Sequence, residues 1–124
     1  MAIGDLKGDE CVVIEGTAGT TITKGQTVHL ESDGFWDPVV DTDTGKFGVA
    51  IEDAASAAAV RVCIWGRVET TAWGAAVKKG AVCMAATTGY VITTDNGATG
   101  ENVGTAMTAF DSSGVGTLWV GLVG

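Results

Sequence analysis

The chain is poor in basic residues. Seven Lys and Arg stand against fifteen Asp and Glu, a formal charge of −8 with histidine neutral. Without a Lys/Arg cluster, phosphate-driven binding of nucleic acid is disfavoured. Cysteine is scarce too. Cys11, Cys63 and Cys83 are widely spaced and only one His is present, so neither a disulfide framework nor a zinc pattern is expected. They read as reduced cysteines packed as small apolar groups. No apolar run approaches the ~20 residues that span a bilayer. The start, Met1 to Lys7, has neither the basic segment nor the apolar stretch of a signal peptide.

What is abundant is small. There are 19 Gly and 17 Thr in 124 residues, and charged residues make only 18%. The glycines have no triplet period, which excludes collagen. A hydrophobic fraction of 46% argues against disorder. The length suits one domain.

Short alternating segments run through the chain. Strands are expected at 10–15, 26–30, 35–40, 47–51, 60–68, 81–86, 90–94, 102–109 and 116–123. Asp33-Gly34, Asp95-Asn96-Gly97 and Asp111 to Gly114 supply turns. Pro38 lacks an N–H and marks an edge or an interruption. The Ala-rich segment 52–59 is too short for a stable isolated helix and reads as one or two helical turns or as a loop. The expected fold is all-β: a compact β-barrel or sandwich of short, mainly antiparallel strands, built from two pseudo-repeated meanders, with little helix. Residues 1–9 are expected to be a flexible arm, or a strand that orders on a partner. Residues 10–124 form the single β domain.

The two meanders are read from a degenerate duplication, at about 19–66 and 74–124. Lys24-Gly25 matches Lys79-Gly80 at a spacing of 55, which also pairs Gly19 with Gly74, Ile22 with Val77, Val28 with Cys83 and Gly34 with Gly89. After a one-residue slip, Gly48 to Ala50 pairs with Gly104 to Ala106. At a spacing of 58, Val60, Val62 and Ile64 pair with Leu118, Val120 and Leu122. Each meander buries too little alone, so the two are expected to share a core. Gly25 and Gly80 are expected at positive φ, and their lysines to be solvated turn residues.

No catalytic group stands out. His29 reads as a surface or interface histidine, with Glu31 its nearest same-face neighbour. Asp37, Asp41 and Asp43 read as turn carboxylates, with a weak cation site as the sharper alternative. A nucleophilic Cys63 needs a base and a cleft that the sequence does not supply. The chain is therefore expected not to be an enzyme and to use no cofactor or metal. Trp65 and Trp119 project opposite the Val/Leu faces of their strands, and Arg61 and Arg67 flank Trp65 on its face. These four make the candidate interface, since aromatics and Arg anchor protein contacts.

The stretches Ala18 to Val28, Phe47 to Ile51, Val60 to Gly66, Thr71 to Gly80, Asn102 to Met107 and Leu118 to Gly124 cover nearly the whole chain. Their pattern of Gly, Ala and Val resembles the small capsid decoration, or cement, proteins of tailed double-stranded DNA bacteriophages and related viruses. The resemblance implies a β-rich virion structural protein, made in the host cytoplasm and bound to the outer capsid surface. It implies a homotrimer that clamps neighbouring major capsid proteins, with no direct nucleic-acid or membrane contact. The alternative is a non-enzymatic carbohydrate- or host-surface-binding β module displayed on a particle.

Overall fold

The structure, a computed structural model, describes residues 11–40, 46–72, 76–86, 89–93 and 102–122, with backbone alone for Tyr90–Thr93. The expected arm at 1–9, Asp41, Asp43 and Trp73 lie outside the described residues. Among the described residues nine strands follow one another: β1 (Val12–Thr17), β2 (Thr27–Leu30), β3 (Trp36–Pro38), β4 (Phe47–Ala50), β5 (Ala59–Thr71), β6 (Val82–Ala86), β7 (Tyr90–Thr93), β8 (Asn102–Ala106) and β9 (Val115–Val120). The protein is all-β, with no α-helix among the described residues. The segment between β4 and β5 is a loop; Ala54 bridges Ile22 there and Ala57 takes a positive φ of 70°.

The strands form one antiparallel sheet, curled into a half-barrel, in the order β3-β2-β4-β5-β9-β8-β6-β7, with β1 also paired to β5. Pro38 sits in β3, at the sheet edge, where its missing N–H costs no ladder bond. The order is the same on each side of the centre: β3-β2-β4-β5 in the first half, β7-β6-β8-β9 in the second. Backbone hydrogen bonds recur in step. Gly25 N–H donates to Ala50 O and Gly80 N–H to Ala106 O, both at 2.8 Å. Ile22 and Ala54 exchange two bonds, as do Val77 and Phe110. Gly25 and Gly80 take φ of 90° and 89°, a left-handed turn that side chains resist.

The last strand falls in a different register from the one its sequence suggests. Ala50 pairs with Val62 and Ala106 with Leu118, so Val62 corresponds to Leu118 at an offset of 56, not 58. A two-residue slide leaves every side chain on its own face, so alternation alone cannot fix it.

Two apolar clusters result. One joins Ala18, Ile22, Val28, Trp36, Ala50, Ala54, Val60 and Val62 of the first half. The other joins Val77, Cys83, Ala106, Phe110, Leu118 and Val120 of the second half, and also takes Val39 and Val49 from the first. The halves thus share burial. The Thr27 and Thr70 hydroxyls link them, 3.0 Å apart, and Thr70 Oγ1 donates to Gly25 O at 2.8 Å. With its single proton committed to Gly25, Thr70 accepts from Thr27.

Two of the three cysteines pack as small apolar groups. Cys63 and Cys83 are fully buried and Cys11 is partly exposed, all as free thiols. Burial pushes the Cys63 thiol up to about 12 and Cys83 to about 11, from an ordinary 9.0. Both are therefore poor nucleophiles. Because their folded values are raised, these thiols favour the native state below pH 9 and lose that contribution as pH climbs through 11 to 12. Denaturant melts are expected to show stability falling over this range, and less so in Cys83→Ala. Alkylation in native buffer is expected to spare Cys63 and Cys83 until the chain is unfolded.

Candidate interaction surface

β5 is 13 residues long and carries the candidate interface at its middle. Its Val60 and Val62 are buried, while Trp65 keeps 42% of its surface exposed. A ladder irregularity opposite Val12 and Val13 displaces the strand there, pairing Val12 with Trp65 and Val13 with Cys63. β9 lies alongside and pairs Arg67 with Trp119.

Three of the four expected residues therefore meet. The Trp65 and Trp119 rings are 6.1 Å apart at 79°, an edge-to-face contact. The Arg67 guanidinium lies 5.2 Å from the Trp119 ring centroid, within cation–π range. The Cys11 thiol donates to Arg67 O at 2.9 Å and the Cys63 thiol to Trp65 O at 3.4 Å, fixing the backbone under both side chains. A Cβ on Gly121 would stand 2.5 Å from the Trp65 ring, so this ring position requires glycine at 121. The buried Trp119 indole N–H has no hydrogen-bond acceptor among the described residues.

Arg61 does not join them. Its Nε and Nη2 donate to Glu52 Oε1 at 3.2 and 3.1 Å, and its backbone N–H donates to Glu52 Oε2 at 2.9 Å. These bonds hold the Glu52 carboxyl below its usual range. The guanidinium is thereby committed to the loop after β4, away from the tryptophans.

The surface also extends to residues whose type does not suggest exposure. Val12, Val13 and Ile14 of β1 are 48%, 41% and 37% exposed beside Trp65. An apolar triplet in a strand ordinarily signals burial. β1 pairs with β5, and Ala18 just past its end bridges Trp36 in parallel; among the described residues nothing buries the three side chains.

His29 is mostly buried rather than at the surface. Its ring packs on Phe47 at 5.6 Å and its Nδ1 is 3.4 Å from Glu31 Oε1. β2 lies between β3 and β4, which is why the position is covered. Among the described residues no group of three or more His, Cys, Asp or Glu is placed to hold a metal ion. No protein-family model matches the chain, and no curated protein matches it.

Proposed function

We propose that this is a structural virion protein that binds the outer surface of the assembled capsid and stabilises contacts between major capsid proteins, acting there as a homotrimer. The observation that carries this reading is the Trp65–Trp119–Arg67 cluster, an aromatic and Arg anchor with open apolar neighbours on a rigid β scaffold. Such residues dominate protein interfaces. The resemblance of nearly the whole chain to capsid cement proteins supports the same reading. The charge of −8 suits a protein that faces basic patches of a shell and not the DNA within it. Stabilisation then follows from mass action: a protein that binds only the assembled shell shifts the equilibrium towards it. Many weak copies acting together make the effect large.

The test is cosedimentation with expanded capsids of the phage that encodes the chain. Trp65→Ala is expected to weaken binding at least ~10-fold, the scale of an interface hot spot. Arg61→Ala is expected to leave it unchanged, because Glu52 already engages that side chain. Failure of the wild-type protein to bind expanded capsids overturns the reading.

A further inference from the structure

We propose that the cleft at the seam between the two halves binds a small apolar zwitterion of dipeptide size. Its carboxylate faces Lys24, its ammonium faces Glu69, and its side chains lie on Ile51, Val68 and Val115.

The seam comes from β5, which serves both halves. Its residues Ala59 to Trp65 pair with β1, and its residues Gly66 to Thr71 pair with β9. In the first half Gly16 lies opposite Val60; in the second Thr70 lies opposite Gly116. Ala18 N–H donates to Ala58 O and Ala72 N–H to Gly114 O, each at 2.9 Å. The segment Glu69-Thr70-Thr71-Ala72 is thus to the second half what Glu15-Gly16-Thr17-Ala18 is to the first.

This segment runs past the Lys24-Gly25 turn of the first half. The Thr70 hydroxyl donates to Gly25 O at 2.8 Å and tethers the two. The turn is itself held: Lys24 N–H donates to Asp53 Oδ1 at 2.7 Å, and Gly25 N–H to Ala50 O at 2.8 Å. Between the turn and the end of β5 lies a cleft of about 490 Å³. Backbone bonds fix its walls on both sides, so it stands formed before a ligand arrives. Its volume is that of a small-ligand site, and such sites favour junctions of this kind.

The lining combines apolar surface with both signs of charge. Ile51, Val68 and Val115 supply the apolar part. Val115 keeps 60% of its surface exposed, the largest share of any large apolar residue described, and covering it is favourable. Lys24 and Glu69 line the same cleft and are exposed. No ion pair joins them, and none engages either one among the described residues. A ligand of one charge would gain from one of them and lose to the other, and an uncharged ligand would match neither. An apolar body with a carboxylate at one end and an ammonium at the other matches both. Two extended residues reach roughly 7 Å, which suits two side chains too far apart to pair with each other.

The purified full chain is titrated with the dipeptide Leu-Leu and followed by amide NMR shifts and calorimetry. Saturable binding with a dissociation constant of about 1 mM or below is expected, with shifts at Ile51, Val68, Glu69 and Val115. N-acetyl-Leu-Leu lacks the ammonium and Leu-Leu amide lacks the carboxylate. Each is expected to bind about 3-fold more weakly, the scale of an exposed ion pair. Glu69→Gln is expected to weaken Leu-Leu by the same factor and to leave N-acetyl-Leu-Leu unchanged. Lys24→Gln is expected to do the same with Leu-Leu amide as the unchanged probe. Val115→Thr keeps the side-chain shape but replaces a methyl by a hydroxyl, and is expected to weaken all three peptides. No saturable binding up to about 20 mM overturns the proposal; Lys24 and Glu69 would then answer each other across an empty cleft. Binding that neither the blocked termini nor the charge variants alter overturns it equally, since the peptide would only be clinging to exposed apolar surface. Thermal unfolding of each variant confirms that its fold is kept. No capsid enters the experiment, so its outcome is independent of capsid binding.

Discussion

Gly104→Ala is expected to destabilise the protein by about 3 kcal/mol, at the upper end of what overpacking costs. Gly104 lies in β8 opposite Val120. A Cβ there would run into the carbonyl oxygen of Trp119, with its carbon 2.9 Å away and Val120 Cα at 3.0 Å. These are backbone atoms, so no rotamer change relieves the contact. β9 cannot retreat either, because β5 holds its other edge. The strands must part, and the ladder bonds between β8 and β9 weaken with them. Gly48, its counterpart in the first half, is confined in the same way: a Cβ would meet Val62 Cγ1 and stand 2.8 Å from Cys63 O. In chemical denaturation the midpoint is expected to move to lower denaturant with little change in slope. In thermal unfolding the loss corresponds to roughly 12 °C for a chain of this size. A loss below about 1 kcal/mol would show that the sheet opens easily at this position, and the close-approach account would be wrong.

The fold class was legible because it rests on alternation and turn chemistry, which are local. Lys24-Gly25 and Lys79-Gly80 recur, and both glycines take the positive φ expected of them. Each of the nine expected strands overlaps an observed one. What escaped was register and role. The spacing of 58 placed Val60 against Leu118, whereas the ladders place Val62 there; both choices keep the same face inward. The recurrence of Glu15-x-Thr17-Ala18 as Glu69-x-Thr71-Ala72 was visible as residues. Its meaning depended on β5 running on past Val68 to Thr71 and passing from one half to the other. At the candidate surface, alternation placed Trp65 and Trp119 on the outward side, and their neighbourhood follows from the β5–β9 pairing. Arg61 stands apart from the cluster because its partner, Glu52, lies in a loop that carries no pattern. The exposure of Val12 to Ile14 depends on what packs over β1, a property of the whole sheet and not of the three residues.

The largest single loss is expected from Phe110→Ala, about 4 kcal/mol, and a second substitution that is itself costly should add almost nothing to it. Phe110 is 1% exposed and among the bulkiest fully buried side chains. Removing its ring leaves a cavity in the cluster of Val77, Leu118 and Val120, for which Phe→Ala changes cost about 3–5 kcal/mol. The first half fills the same space differently. Ala54 bridges Ile22 as Phe110 bridges Val77, and Val60 holds the position that Gly116 holds in the second half. The pair is Ala54 with Val60 on one side and Phe110 with Gly116 on the other: a small loop residue with a branched strand residue, against a ring with none. A Cβ on Gly116 would lie 2.5 Å from Phe110 Cδ1 and 2.6 Å from Cε1, so Gly116→Val alone is expected to cost about 2–3 kcal/mol by overpacking. With the ring gone, the same valine enters the vacated space. Phe110→Ala/Gly116→Val is therefore expected to be about as stable as Phe110→Ala, with a coupling energy of about 3 kcal/mol in a double-mutant cycle measured by urea unfolding. Additive losses would mean that the ring and the glycine do not compete for one volume, and that the two halves share a strand order without sharing a way of packing it.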